Sequence, residues 1–177
     1  MSACRGAVVL LILAALGGCA SGITVSDQQR DTKPEVRALR DYTVELSPHV
    51  KEQLPDNIKF DVAALTRAID HSFAAHNLIA SDGDFHLKIV VTDIRVRGTF
   101  SAVMWGFMAG DDHVNGDGFV SRVDGDSSTH EFKIKTSYAL GGFVGGQDSA
   151  RMDWIYEEFA KKLTEHLVQK RDAKKPA

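Results

Sequence analysis

Asp111-Asp112-His113-Val114-Asn115-Gly116-Asp117 carries oxygen ligands on alternate residues and a glycine at the sixth place. A calcium loop uses that spacing, because a hard cation gathers oxygens from one side of a tight turn. The twelfth place, where a bidentate Glu should close the shell, is Arg122, so the run reads as a solvated turn and no metal is expected. His71 and His76 stand five apart and miss the i, i+4 spacing of a zinc-binding helix pair; they read as partly exposed helix residues. Gly141-Gly142-Phe143-Val144-Gly145-Gly146-Gln147-Asp148 has the glycine density of a phosphate cradle ahead of a helix. Gln147 and Asp148 occupy the places of the required Lys and Ser/Thr, and a carboxylate there repels phosphate. Gly141, Gly142, Gly145 and Gly146 therefore read as a flexible loop. Serine and histidine are plentiful, but no Gly-x-Ser-x-Gly elbow occurs, and Asp82 with Asp84 is a turn. The expectation is a protein that is not an enzyme, with no catalytic residue and no cofactor.

The N-terminus offers a different chemistry. Arg5 precedes an uncharged run from Gly6 to Leu16, too short to span a hydrocarbon core of ~30 Å, which is the layout of a signal peptide. Leu16-Gly17-Gly18-Cys19 resembles the bacterial lipobox, in which two small residues fit a narrow peptidase cleft ahead of the acceptor cysteine. The resemblance implies cleavage after Gly18 and acylation of Cys19, with palmitate among the usual chains. The chain would then be held by membrane lipid without spanning the bilayer. By resemblance to Gram-negative lipoproteins, Ala20 in place of an Asp retention signal favours the outer membrane, with the domain facing the periplasm.

Composition narrows the rest. With 21 Lys+Arg against 24 Asp+Glu, a net charge of −3 and a pI near 6.1, the chain lacks the basic footprint of a nucleic-acid binder. Its only cysteines are Cys4 and Cys19, which excludes a disulfide scaffold and a cysteine zinc site. At 177 residues, 44% of them hydrophobic, it has material for one modest core.

Hydrophobic period places the elements. Residues 1–18 form the leader, and 19–39, polar and without sustained period, read as the lipidated cysteine and a flexible tether reaching about 25 Å. The domain spans 40–170. Tyr42, Val44 and Leu46 alternate as a first strand, and a loop containing Pro55 follows. Asp61 is an N-cap for a helix carrying Val62, Leu65, Ile69 and Phe73, with Asn77 at its C-cap. Residues 85–96 are apolar on both faces and read as an interior strand. Strands at 118–123 and 130–139 join through the Asp124-Gly125 turn. In the second of these Phe132, Ile134, Thr136 and Tyr138 face the core, with Lys133, Lys135 and Ser137 opposite. A final helix buries Met152, Ile155, Tyr156, Phe159, Leu163 and Leu167, and 171–177 is a frayed tail. The expected fold is α+β: one β-α-β-β-β-α domain with a mostly antiparallel sheet and two helices on one face.

Between the second and third strands lies an apolar, glycine-punctuated segment, residues 98–110, that follows neither period. It is either packed over the core or an exposed contact patch of Phe100, Trp105, Phe107 and Met108, types favoured at partner and headgroup interfaces. Residues 85–167 resemble a family of bacterial lipoproteins known as domain of unknown function 4410. The strand ending in Arg97-Gly98, the Trp105-Gly106-Phe107-Met108-Ala109-Gly110 segment, and Gly141 to Asp148 running into Met152-Asp153-Trp154 carry the likeness. It implies an envelope lipoprotein with an α+β domain and supplies no catalytic residues. The expected function is non-enzymatic: an outer-membrane-anchored lipoprotein whose periplasmic domain binds an envelope protein through Phe100, Trp105, Phe107 and Met108. The alternative is a carrier of a small ligand or lipid.

Overall fold

The computed structural model describes residues 22–25, 35–97, 110–125, 129–138 and 148–168. In chain order the elements are β1 (Gly22–Thr24), β2 (Leu39–Leu46), α1 (Pro48–Gln53), a 3-10 turn (Leu54–Asp56), α2 (Val62–Ala75), β3 (Phe85–Arg95), β4 (Asp112–Arg122), β5 (Thr129–Tyr138) and α3 (Asp148–Val168). The fold is α+β. Its five strands form one sheet in the order β1-β5-β4-β3-β2, antiparallel except for the β2/β3 pair.

Helices α2 and α3 cover one face of the sheet. Leu65, Ile69 and Phe73 recur every four residues along α2, and Ile155, Phe159, Leu163 and Leu167 do so along α3; all are buried. They meet Leu87, Ile89, Val91, Val114, Val120, Phe132 and Ile134 from the strands. Each large side chain buried in this way contributes about 1.5–3 kcal/mol. The Asp61 carboxylate caps α2 by accepting from Ala63 N–H at 2.8 Å, and Asn77 ends the turn after it with φ of 50°. Asp61 N–H also donates to Tyr156 Oη at 2.8 Å, tying the start of α2 to α3. Burial, helped by the charges of Asp61 and Asp153, pushes that hydroxyl up to about 12. His71 is exposed on α2; His76, also exposed, is the C-cap, one residue before the Asn77 expected there.

Several expectations need correction. The run 111–117 is neither a calcium loop nor a solvated turn, because β4 starts at Asp112, six residues before the strand predicted at 118. Asp112 points inward, while Asp111, Asn115 and Asp117 share the outer face but are spread along an extended chain at about 7 Å per two residues, too far apart to close round one ion. Glycine hid the strand: the inward positions Gly116 and Gly118 leave room for Phe159 and Phe132, whose rings would meet a Cβ added at either site. The segment read as a loop around Pro55 contains α1, begun by the Ser47 hydroxyl accepting from Val50 N–H at 3.2 Å, with Pro48 in its first turn. Within the segment read as a flexible tether, Gly22–Thr24 pair with β5, while Val36 and Leu39 are buried in the core.

Helix α1 also solves an edge problem. Strand β2 stops at Leu46, opposite Val91, which leaves the next amides of β3 without a strand partner. Gln53 Oε1 accepts from Ile94 N–H at 3.2 Å and Asn57 Oδ1 from Val96 N–H at 2.7 Å. Two side-chain carboxamides thus carry β3 on to Arg97.

Gly118→Ala should lower unfolding stability by about 1–3 kcal/mol, because the new methyl meets the fully packed Phe132 ring. Urea denaturation checks this; an unchanged midpoint would mean the ring has room to move.

Candidate functional site

Two uncharged, glycine-rich stretches, residues 98–109 and 139–147, lie outside the described residues, and with them Phe100, Trp105, Phe107, Met108, Gly141, Gly142, Gly145 and Gly146. So do Leu16, Gly17, Gly18 and Cys19. The four points where the two stretches leave and rejoin the domain are described; one buried polar cluster holds three of them and lies within one helical turn of the fourth.

Arg97 immediately precedes the first stretch, and Gly110 follows it. Arg97 N–H donates to Asp112 Oδ1 at 2.6 Å, and its guanidinium donates to Asp112 Oδ2 at 3.1 Å and to Gly110 O at 2.7 Å. The same guanidinium reaches Tyr138 O at 3.2 Å, the last described residue before the second stretch. Arg151 lies in the first turn of α3, just past that stretch. Its Nε forms an ion pair with Asp112 Oδ2 at 3.2 Å, and its Nη2 donates to Arg97 O at 3.0 Å. Register supports the same closure, since Asp112 lies opposite Tyr138 across β4 and β5.

The three side chains are all but sealed from water: 2% exposed for each arginine and 0% for Asp112. A carboxylate this deep persists only when charge and hydrogen bonds compensate its lost hydration. The planar guanidinium suits the task, because several donors in fixed directions can join one carboxylate to backbone carbonyls on different strands. Gly110 completes the junction at φ of 85°, a left-handed conformation that suits glycine, with the Arg95 guanidinium 2.7 Å from where a Cβ would stand.

A second polar group sits on the sheet face away from α2 and α3. Asp93 Oδ1 accepts from Gln53 Nε2 at 3.0 Å, and its Oδ2 lies 2.9 Å from His113 Nε2 and 3.5 Å from Asn115 Nδ2. Partial burial pushes this carboxyl upward, but the bonds from Gln53, His113 and Asn115 and the charge of His113 outweigh it and hold it below its ordinary value. No nucleophile is hydrogen-bonded into the pair by the contacts described. Among the described residues, no group of three or more His, Cys, Asp or Glu is placed to hold a metal ion.

The sequence held a signal for the buried cluster that residue type obscured. Arg151 stands four residues before Ile155 and eight before Phe159, on the apolar stripe itself. Asp112 has the inward parity of Val114 and Val120, which the glycines between them conceal.

No family model matches the chain, and neither does any curated protein. Among solved structures it is similar to the PelC dodecamer of Paraburkholderia phytofirmans at 10% identity and a TM-score of 0.45, covering 81% of this chain and 97% of that one. A candidate lipoprotein of Caulobacter crescentus matches at 14% identity and a TM-score of 0.38, over 65% of this chain and 85% of the other. A Xanthomonas campestris protein of the DUF330 family matches at 13% identity and 0.41, over 88% and 98%. Among the described residues, no helix is long and apolar enough to cross a membrane.

Asp112→Ala should cost about 3–5 kcal/mol in chemical denaturation, because it strands two buried guanidinium groups. Replacing Asp112, Arg97 and Arg151 together by apolar residues of similar volume should recover much of that loss; equal damage from both variants would show that shape rather than charge compensation holds the junction. For Asp93 the depressed folded value means that its stabilisation is present above the ordinary carboxylate pKa of about 3.9 and is lost as pH falls through the folded value. Asp93→Asn should therefore flatten the acid-side slope of stability against pH in a series of denaturation curves.

Proposed function

We propose that this chain is a lipid-anchored protein of the Gram-negative envelope, held at the outer membrane through Cys19, and that its domain works without catalysis as a binding module. Its contact surface is the pair of glycine-rich stretches, with Phe100, Trp105, Phe107 and Met108 supplying apolar and aromatic area, and its partner is an envelope protein. The observation that supports this reading is the Arg97–Asp112–Arg151 cluster, which roots both stretches at one point of a rigid sheet. A fixed common base for two segments lowers the ordering cost of binding. Aromatic side chains and methionine are the types enriched in the centres of such interfaces.

The likeness to the domain of unknown function 4410 family belongs to the same proposal, as do the leader, the lipobox and acylation of Cys19. A carrier role would need space between helices and sheet. There Phe73, Phe132, Phe159 and Leu163 are all buried among the described residues, which favours the contact-surface reading.

Trp105→Ala and Phe107→Ala should weaken partner capture in intact cells while far-UV circular dichroism stays unchanged. A photoreactive residue at position 105 should give a discrete protein adduct in the outer-membrane fraction. Loss of secondary structure in the alanine variants would instead assign these side chains to the core and overturn the proposal. Cys19→Ser should release the chain from the membrane fraction.

A further inference from the structure

The pairing of β1 bears on how the domain sits on its membrane. Gly22 lies opposite Lys135 and Thr24 opposite Lys133, so β1 runs antiparallel to β5. Traced back from Gly22, the chain heads toward Tyr138, the end of the sheet where both glycine-rich stretches emerge. Cys19 is three residues before Gly22, and three residues reach at most ~10 Å even when extended. The other end of β5, at Thr129, lies six residues from Lys135, about 20 Å along a strand. Gly22 itself stands level with Lys135, three residues from Tyr138 and six from Thr129, so β1 starts nearer the Tyr138 end and its N-terminal direction points there.

The two ends also differ in chemistry. Near the Tyr138 end, Ile58 is 84% exposed, one residue past the Asn57 carboxamide that accepts from Val96. Trp154 is 36% exposed and packs against Tyr138 with ring centroids 5.1 Å apart. The stretches that leave from this end contain no charged residue. Charges of both signs border it: Lys59 and Arg95, with Asp56, Asp111 and Asp153. At the far end the turns carry the exposed carboxylates Asp82, Asp84 and Asp124, the last ion-paired to Arg122 at 3.0 Å, with Val123 N–H donating to Asp84 O at 2.9 Å; Ile79, 44% exposed beside Leu39, is the large apolar side chain exposed there among the described residues. Apolar and aromatic groups beside mixed charges suit a headgroup layer, whereas carboxylates are repelled by anionic phospholipid.

We infer that the end of the sheet bearing Ile58, Tyr138 and Trp154 rests on the phospholipid headgroup layer of the leaflet that holds Cys19. The domain is then a short-leashed module set against the bilayer, and the partner reached by its two stretches lies in or on that membrane. This orientation rests on the lipid-anchor reading proposed above.

The experiment uses the full-length, acylated protein in phosphatidylethanolamine/phosphatidylglycerol vesicles. Once Cys19 is acylated and Cys4 has left with the leader, an introduced cysteine is the sole free thiol. An environment-sensitive fluorophore is placed in separate variants at the exposed sites Ile58→Cys, Ala150→Cys and Asp124→Cys, and headgroup-nitroxide lipid is the quencher. The expected result is loss of fluorescence at positions 58 and 150 and none at 124. Quenching at 124 in their place, as a domain drawn down by the basic tail at Lys170, Arg171, Lys174 and Lys175 would give, overturns the inference. So does a protein that floats with the vesicles, carries its acyl chains by mass and is quenched at none of the three sites; the anchor reading then survives alone. A chain without acyl groups overturns both.

Discussion

A single carboxylate with no access to water, that of Asp112, fixes the geometry on which the candidate contact surface depends. Its two oxygens take the Arg97 backbone N–H, the Arg97 guanidinium and the Arg151 guanidinium at 2.6, 3.1 and 3.2 Å. Those groups come from the end of β3 and the first turn of α3, while Asp112 itself opens β4, so one side chain joins three elements. An interior of low polarity makes such a junction strong when complete and costly when broken. The arrangement specifies which ends meet, something an apolar cluster of equal size would define less sharply.

The layers around this junction are built to leave it undisturbed. On the inner face of β4, Gly116 and Gly118 give their volume to the rings of Phe159 and Phe132, so α3 packs close to the sheet and brings Arg151 to Asp112. On the outer edge, Gln53 and Asn57 satisfy the β3 amides beyond the reach of β2. Without them the strand would present open N–H groups just before Arg97, a position where fraying would loosen the cluster.

Under the lipid-anchor proposal, strand β1 sets a simple length limit. Only residues 19–21 separate its first residue from the proposed acylation site, so β1 replaces a leash of about twenty residues with one of three. A flexible tether would let a domain rotate freely about such an anchor, whereas a strand paired with β5 would keep one end of the sheet near it.

The sequence by itself determined most of what reads as a period, and the Asp61 cap, though not the Ser47 cap of the short helix α1. The α2 and α3 stripes, the Asp61 cap, the inward set Phe132, Ile134, Thr136 and Tyr138, and the α+β order all follow from spacing, because burial on one face imposes a repeat of 3.6 or 2. The resemblance of Leu16-Gly17-Gly18-Cys19 to a lipobox is legible in the same way, since a linear motif needs no tertiary context. Tertiary structure alone decided the rest. Gly116 and Gly118 carry no hydrophobic signature, so the first half of β4 looked like a turn until the rings above them were in place. Gly22–Thr24 is too short to show a period and becomes a strand only because β5 offers an open edge. Arg97, Asp112 and Arg151 look like surface residues one at a time. Their burial follows from charge compensation among residues up to 54 positions apart, which the fold assembles.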